Sequence, residues 1–410
     1  MPIFFPGDTQ AVLGANAEKC DSRSLYMDRF ADPGAKKGDR DQWFDEVLRR
    51  DVAVSKPLDR FSGKSVAACY GQLRSRLIVN IAGGVMENAG LCVDRFGWPY
   101  IPGSAIKGCA RRAAIQSLID AQDANPDFVK LARLLANVAL VFGWGEGEWK
   151  VELNDARKLK SDFVYAIGQD LWPQVSEAAQ KHLPKTNHFA GGVSFLPAYP
   201  IDPKNVKNLP IPLPERFSAL EMDILTYHHG HYYSSSDATK VAADIEEAVP
   251  MSFPTVPMGH VFKFCLLPLS GGGAECTDQA RVWLMEGLQT FGLGAKTSAG
   301  YGWFVDVTAL VQGALDLEQQ SAMAAQLRKS LEPDQTFLTR LSAMKEADLR
   351  GIINPYHYEE ANWTQKNEQE QYTLLHFLRV TAPEVLRPDR DNPKSKIAKA
   401  ISNLAKKFPA

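Results

Sequence analysis

The stretch FGLGAKTSAGYGWF, residues 291–304, is the part of the chain that decides the fold. Its four glycines are Gly292, Gly294, Gly300 and Gly302. Such a density of glycine is typical of a loop and not of the interior of a helix or strand. Residues 281–290 carry apolar side chains at helical spacing, and residues 303–307 alternate as in a strand. The predicted order is therefore helix, glycine-rich loop, strand.

This order separates the loop from the two common phosphate-binding motifs, which run from a strand into a helix. A P-loop needs Gly-Lys followed by Ser or Thr, but Ala295 precedes Lys296. The Gly-Lys-Ser at residues 63–65 has Leu58 where the earlier glycine belongs. The dinucleotide fingerprint fails because Thr297 stands in the place of its third glycine. The sequence therefore argues against nucleotide hydrolysis.

The glycine-rich loop has the chemistry of a site for a nucleic-acid backbone. Glycine leaves backbone N–H groups unshielded, and Lys296 with the neighbouring hydroxyls can meet phosphates. Tyr301 offers a ring on which a base can stack. The predicted nucleic-acid contacts of the loop are Gly292, Gly294, Lys296, Thr297, Gly300 and Tyr301. A structural turn with a solvated lysine is the alternative for an isolated glycine cluster.

Composition restricts the class of protein. With 410 residues, 45% of them hydrophobic, the chain can bury a large core and form two or three domains. Six cysteines without a C-x-x-C pair indicate neither a zinc ribbon nor a disulfide framework, and they suit a reducing cytoplasm. The sequence has no long apolar run and no signal-like start, so we expect no membrane span. A formal net charge of −2 means that any nucleic-acid site must be local.

A local basic segment is present. Residues 60–112 carry eight Lys and Arg against two acidic residues, a local charge of +6. A predicted strand at residues 72–81 places Arg74 and Arg76 two apart on one sheet face. Because basic segments accompany nucleic-acid binding, we predict that these arginines contact nucleic acid. Ordinary solvated arginines are the alternative.

The same segment predicts a helix over residues 105–121, with Ser104 as its N-cap. Lys107 and Arg111 lie one helical turn apart near its start, and Arg112 follows. Free N–H groups at a helix start together with cations form a natural phosphate site. The sequence therefore predicts contacts with nucleic-acid phosphates at Ser104, Lys107, Arg111 and Arg112.

Three histidines lie at 228, 229 and 231, near Asp223 and beside Tyr232 and Tyr233. They could form a metal site or run acid–base cleavage of RNA. Adjacent histidines on an extended segment point in opposite directions, and no second ligand cluster is visible in the sequence. We therefore predict no metal and no catalytic residue, and assign His228 and Tyr232 to RNA stacking or to contact with a neighbouring subunit.

A resemblance brings these segments together. The motif IPGSAIKG at residues 101–108, followed by Arg111, resembles the IPGSSLKG signature of the RAMP superfamily of CRISPR-associated RNA-binding proteins. Residues 292–302 resemble the superfamily's C-terminal glycine-rich loop. The order of the motifs between them, including GGVSFLPAYP at residues 191–200, is similar to that of the sixth-subunit family of the Cmr complex, the type III-B effector. The resemblance covers about residues 70–308.

The resemblance implies an α+β fold of ferredoxin-like, RRM-related βαββαβ units, with two units expected, whose sheet and loops hold RNA. It implies a non-catalytic subunit without a cofactor, located in the cytoplasm at the end of the backbone filament of the complex. The implied partners are the guide crRNA, held near its 3′ part, the target RNA and other Cmr subunits. The alternative is a guide-processing endoribonuclease of the same superfamily that uses His228 or His229.

The predicted domain organisation has three parts. Residues 1–65 form an irregular N-terminal extension with one short helix at 41–50, interpreted as an insertion that packs on a neighbour. Residues 66–309 form the RNA-binding core, interrupted by a proline-rich insertion at about 146–214. Residues 310–410 form a helical C-terminal extension.

Overall fold

The computed structural model divides the chain into two compact units, residues 1–311 and residues 312–410. It describes every residue outside the following positions: 1–6, 21, 33, 51, 53–65, 81–90, 124–126, 150–160, 187, 204, 228–229, 234, 238, 240, 242–248, 271, 330, 354–365, 387–395 and 409–410. Among the described residues, no helix has the length and apolar character needed to cross a membrane.

The described strands fall into three antiparallel sheets. In chain order they are β1 Ala67–Leu73, β2 Gly143–Trp144, β3 Phe189–Ala190, β4 Val193–Phe195, β5 Tyr199–Ile201, β6 Glu221–Tyr227, β7 Val249–Thr255, β8 Val261–Pro268 and β9 Phe304–Asp306. The main sheet has the order β4-β8-β1-β9, with β5 also paired to β8. Its register places Cys69 opposite Phe264 and Gln72 opposite Val305. The pairs β2–β3 and β6–β7 are separate two-stranded sheets.

Helices form all of the described regular structure after β9. In chain order they are α1 Gly7–Leu13, α2 Arg23–Asp28, α3 Lys37–Leu48, α4 Gly103–Asp123, α5 Phe128–Phe142, α6 Asp162–Ile167, α7 Trp172–Gln180, α8 Gly230–Tyr233, α9 Ala274–Thr290, α10 Thr308–Lys329, α11 Gln335–Ser342, α12 Glu346–Ile353, α13 Glu368–Val380 and α14 Lys396–Lys407. The described residues also form three short 3₁₀ turns, Gly14–Lys19, Glu146–Trp149 and Thr297–Ala299. The α+β class predicted from the sequence is confirmed.

Helices α4 and α9 pack against each other and against one face of the main sheet. Phe262 and Phe264 of β8 point into this layer, and each makes an edge-to-face contact with Phe304. Helix α4 begins against β4: a Cβ at Gly103 would lie 2.1 Å from the carbonyl oxygen of Phe195, so only glycine fits there. The packing of the main core therefore fixes where α4 starts.

The opposite face of the main sheet is covered by the chain itself. Tyr70 and Val261 are buried under a segment that includes Val206. The buried amide of Gln72 donates to the carbonyl of Ile211 at 2.7 Å, and its oxygen accepts from the N–H of Ile211 at 3.2 Å. The sheet surface around these residues is closed to RNA, so the expectation that the sheet itself holds RNA is wrong at this place.

The predicted irregular character of residues 1–65 is wrong for residues 7–40, which contain α1, α2 and the start of α3, whereas the short helix predicted at 41–50 is confirmed as the later part of α3. Tyr26 of α2 and Trp43 of α3 are buried in the same apolar core as the main sheet. Arg23 is buried as well and donates to the carbonyls of Gly97 and Ser218. The glycines and charges suggested loops, but burial of an apolar face against the chain's own core overrides that local signal.

The proline-rich segment predicted as an insertion contributes two strands to the main sheet. Strands β4 and β5 both pair with β8, and Pro200 lies opposite Phe262. Proline is tolerated there because β5 lies at the edge of the sheet, where one side of the strand needs no donor. The predicted insertion boundaries at 146 and 214 are therefore wrong for residues 193–201.

The second unit has its own apolar core, built from helices α11 to α14. Leu341 and Leu374 are fully buried in it, and Leu404 of α14 and Phe408, directly after that helix, are buried in it as well. Helix α13 begins with a capping box in which Asn367 accepts from the N–H of Glu370 at 2.8 Å. The predicted helical character after residue 310 is confirmed for the described residues. The domain boundaries and the role of this unit stay predictions.

His260, in the turn before β8, makes the stability of the first unit dependent on pH. Its ring is fully buried, with Nδ1 2.9 Å from the carbonyl oxygen of Pro257, and burial lowers its pKa to about 4. In the unfolded chain the pKa returns to about 6.5. Between these values the unfolded state binds a proton that the folded state does not, so we expect the unfolding free energy to fall by about 3 kcal/mol as the pH drops from 6.5 to 4.

This expectation is checked by urea unfolding of the full chain across that pH range. His260→Asn should remove the extra pH dependence, whereas His182→Asn, at an exposed histidine, should leave it unchanged. Equal pH dependence in the wild type and His260→Asn would contradict the assignment.

Candidate nucleic-acid interface

The glycine-rich loop connects α9 to β9, as the sequence predicts. Gly292, Gly294, Gly300 and Gly302 all have positive φ, between +69° and +96°. At two of them the chain passes too close for any side chain. A Cβ at Gly294 would lie 2.3 Å from the carbonyl oxygen of Ile78, and one at Gly302 would lie 1.9 Å from that of Leu293. These two glycines are therefore required by the packing of the loop itself.

Several N–H groups of the loop are occupied within the chain. Leu293 donates to the carbonyl of Gly302 at 2.8 Å, and Gly302 donates to that of Arg76 at 2.7 Å. Ala295 donates to the carbonyl of Ile78 at 2.7 Å. The idea that the glycine N–H groups in general are open to a ligand is thus wrong for Gly302.

The centre of the loop has a different arrangement. Lys296 is left-handed, with φ +55° and ψ +33°, and Thr297 begins a right-handed 3₁₀ turn. The N–H groups of Lys296, Thr297 and Ser298 donate to no acceptor among the described residues. A left-handed residue followed by a right-handed one turns three successive N–H groups toward one point, which forms an anion-binding nest. We call residues 296–298 the nest.

The indole of Trp303 stabilises the nest through a hydrogen bond. Its Nε1 donates to the carbonyl of Thr297 at 3.1 Å, and its backbone N–H donates to Oγ of Ser75 at 3.1 Å. These bonds connect the far end of the loop to the segment that follows β1. Trp303 therefore connects the nest to the chain just after β1.

Arg74 and Arg76 do not share a sheet face, because β1 ends at Leu73. Arg74 is exposed, and its N–H donates to the carbonyl of Trp303 at 2.8 Å. Arg76 forms an ion pair with Glu221 of β6, and its Nη1 lies 3.4 Å from Oδ2 of Asp223. The predicted strand at 72–81 is wrong in its bounds, because it shares only residues 72 and 73 with β1, and the chain bends after Leu73.

Tyr301 is not a free stacking platform. Its hydroxyl donates to Oδ2 of Asp223 at 2.6 Å, and its ring lies 6.3 Å from that of Phe253. Burial, followed by the hydrogen bond to the Asp223 carboxylate, raises the pKa of Tyr301 to about 12. The hydroxyl is therefore a permanent donor within the protein at neutral pH.

At the start of α4, Ser104 is not the N-cap. The helix begins at Gly103, and the N–H groups of Ala105 and Ile106 donate to the carbonyl of Pro102 at 3.0 and 3.2 Å. The carbonyl of Pro102 thus supplies the hydrogen-bond acceptor at the helix start that the Ser104 side chain was predicted to supply, and Ser104 is exposed. Lys107 is half-buried, and both burial and the nearby Arg111 charge lower its pKa. No ion pair of Lys107 with another described residue is observed.

Arg111 is engaged within the protein. Its Nη1 lies 2.6 Å from Oδ2 of Asp162 and its Nη2 3.8 Å from Oε1 of Glu148, and the guanidinium lies 4.9 Å from the ring centre of Phe163. Two carboxylates and an aromatic ring hold it against α6. A phosphate would have to displace these partners, so the structure gives Arg111 a structural role.

Arg112 is the helix cation that reaches the glycine-rich loop. Its guanidinium lies 4.4 Å from the ring centre of Phe291, at the end of α9, and the residue is exposed. On the same side of α4, the thiol of Cys109 lies 3.6 Å from the carbonyl oxygen of Gly292. Residues 107 and 109 are about 200° apart around a helix, so Lys107 lies on a different face from the loop contact.

The described residues include only part of the histidine cluster. His228 and His229 lie outside the described residues, so their predicted roles stay predictions. Tyr232 and Tyr233 of α8 are exposed and make an edge-to-face contact with a ring separation of 5.2 Å. Within the described parts of the chain, no group of three or more His, Cys, Asp or Glu residues is placed to hold a metal ion.

Sequence reasoning missed Glu221 and the role of Asp223. These acids lie on β6, 145 and 78 residues away in sequence from the Arg76 and Tyr301 side chains that they contact. No spacing rule connects them.

Comparison with known proteins agrees with the motifs. Residues 80–305 match the RAMP superfamily. The CRISPR system Cmr subunit Cmr6 of Pyrococcus furiosus is 30% identical over 252 residues, which cover 59% of this chain and 69% of that protein.

Two solved structures are also similar. The crystal structure of Cmr6 from Pyrococcus furiosus is 25% identical, with a TM-score of 0.30, over 59% of this chain and 97% of that one. A chain in the cryo-EM structure of the Type III-B Cmr-beta bound to cognate target RNA is 15% identical, with a TM-score of 0.35, over 73% of this chain and 72% of that one. Both TM-scores lie below 0.5. The sequence matches show that the chain belongs to the RAMP superfamily and, within it, to the Cmr6 family.

Proposed function

We propose that this chain is a non-catalytic RNA-binding subunit of a type III-B Cmr effector ribonucleoprotein, and that it holds the crRNA near its 3′ part at the end of the backbone filament. The observation that carries the proposal is the nest, residues 296–298, whose three N–H groups have no acceptor among the described residues. A phosphate oxygen is the ligand that such a group of donors favours. The lysine side chain in the nest adds a positive charge at the same place.

The charges around the nest support a site for RNA backbone. Arg112 lies over Phe291 at the start of the loop, and Arg74 is exposed beside its end. These two cations and Lys296 form no ion pair with another described residue, whereas Arg76 and Arg111 each contact two carboxylates. The cations that remain for phosphates thus lie on both sides of the nest. Guide strands are held in this way, through backbone and shape, when their bases must stay free for pairing.

The main sheet supports a ferredoxin-like unit as the scaffold of this site. Strand β1, helix α4, strand β4, strand β8, helix α9 and strand β9 follow one another in the order βαββαβ. Their arrangement β4-β8-β1-β9 places the first and third strands in the centre, as in that fold. The two remaining described sheets have two strands each, so we propose one such unit in place of the predicted two.

The proposed partners are the crRNA, the target RNA and other Cmr subunits. The test is purification of the tagged full chain from its native cells, followed by identification of what accompanies it. We expect a short RNA of discrete length together with several related proteins. Partners without RNA would contradict RNA binding and favour a structural adaptor. A chain that purifies alone would contradict membership of a complex.

A further inference from the structure

Four polar side chains from three segments meet at the glycine-rich loop. They are Arg76 after β1, Glu221 and Asp223 on β6, and Tyr301 in the loop. We propose that Asp223 is a positioning residue for the RNA site, acting through Tyr301 and Arg76 to hold the loop in the conformation that forms the nest. This inference rests on the proposed function, because it assigns a role to residues that support the nest without touching RNA.

Asp223 is the centre of the group. Its side chain is 17% exposed, compared with 46% for Arg76 and 35% for Glu221. A carboxylate with so little access to water needs charged or strong donors, and both are present. Oδ2 accepts from the Tyr301 hydroxyl at 2.6 Å and lies 3.4 Å from Nη1 of Arg76. Asp223 therefore connects the loop, β6 and the segment after β1.

The loop is held on both sides of the nest. Before it, Ala295 donates to the carbonyl of Ile78, and both residues pack with Phe253 in a small apolar cluster. After it, Tyr301 bonds to Asp223 and packs on the same cluster, while Gly302 donates to the carbonyl of Arg76. With Ala295 and Tyr301 fixed, only residues 296–300 span the bend. These anchors keep Lys296 in the left-handed conformation despite the conformational free energy that this backbone costs a residue other than glycine.

The charge of the group argues against direct phosphate contact. Arg76 carries one positive charge and faces the two carboxylates of Glu221 and Asp223. The net charge of these three side chains is negative, which repels a phosphate placed among them. Arg76, predicted from the sequence as an RNA contact, is therefore assigned to positioning.

Salt dependence separates a positioning residue from a phosphate contact. Each phosphate contact that is lost reduces the slope of log K against log salt by about 0.7 for single strands. We expect Tyr301→Phe and Arg76→Gln to weaken binding of the full chain to a single-stranded RNA of about 16 nucleotides by about threefold to tenfold with an unchanged slope. Lys296→Gln should instead reduce the slope. Tyr233→Phe, the same change at an exposed tyrosine, should alter neither quantity.

Amide hydrogen exchange of the full chain without RNA supplies a readout independent of binding. We expect the N–H groups of Ala295 and Gly302 to exchange at least about fivefold faster in Tyr301→Phe than in the wild type or Tyr233→Phe. Unchanged exchange in Tyr301→Phe, or a reduced slope in Arg76→Gln, would overturn the inference while leaving the RNA site in place. Failure of the wild type to bind RNA would overturn the proposed function, and the inference with it.

Discussion

Charge reversal at both Lys296 and Arg112 is expected to weaken RNA binding by about 100-fold. Each cation contributes one charge-assisted contact of about 1.5 kcal/mol, and each 1.4 kcal/mol is tenfold in affinity. Lys296 lies in the nest at the centre of the loop and Arg112 lies over Phe291 at its start, so their losses should nearly add. The measurement is a titration of labelled single-stranded RNA with the full chain at fixed salt.

The matched control reverses Lys181 and Lys185, two exposed cations of the same unit. It changes the net charge of the chain by the same amount but leaves the loop untouched. We expect it to alter affinity by less than about threefold, because exposed charges beyond a Debye length are screened. Equal losses in the two double variants would mean that RNA senses only overall charge, and the local site would then be wrong.

The second large effect is expected from Gly302→Ala. The new Cβ would lie 1.9 Å from the carbonyl oxygen of Leu293, at a residue with φ +71°. Strain in the backbone and a clash with backbone atoms act together, so the unfolding free energy should fall by at least about 3 kcal/mol. RNA binding should be lost at the same time, because the loop cannot close around Leu293. Urea unfolding of the full chain measures the first effect.

Gly300→Ala separates strain from the clash. Gly300 has φ +94°, but a Cβ there meets no described atom within 4 Å. Only the conformational cost remains, and we expect a loss of about 1 to 2 kcal/mol. If Gly300→Ala and Gly302→Ala destabilised the chain equally, the close approach at Gly302 would not be the reason for its glycine.

The sequence predicts well those elements whose signals are local. The helix of α9, the glycine-rich loop and the strand of β9 follow in the expected order, because glycine density and apolar spacing act within a few residues. Helix α4 is also confirmed, starting two residues before its expected first residue at 105. Only its predicted cap was wrong, because the carbonyl of Pro102, and not the Ser104 side chain, accepts from the N–H groups of Ala105 and Ile106.

What the sequence does not predict depends on contacts between distant segments. The hydrogen bond between Tyr301 and Asp223 joins residues 78 apart, and Arg111 meets Asp162 across 51 residues. Proline content hid β5, whose pairing with β8 is possible because an edge strand tolerates Pro200. Whether a basic residue meets an acid of its own chain or an external phosphate is a property of the tertiary structure. Pattern reasoning therefore found the loop but missed the acidic partners that Arg76 and Arg111 have within the chain.

Ultraviolet crosslinking of the full chain to its RNA, followed by mass spectrometry of the peptides, tests the central claim most directly. The loop carries Phe291, Tyr301 and Trp303 close to the nest, so its peptide contains rings suited to photochemical capture of a base. We predict that crosslinked nucleotides map to residues 291–303. Crosslinks confined to the exposed tyrosines of α8 or to the helices after residue 312, with none in the loop, would contradict the account.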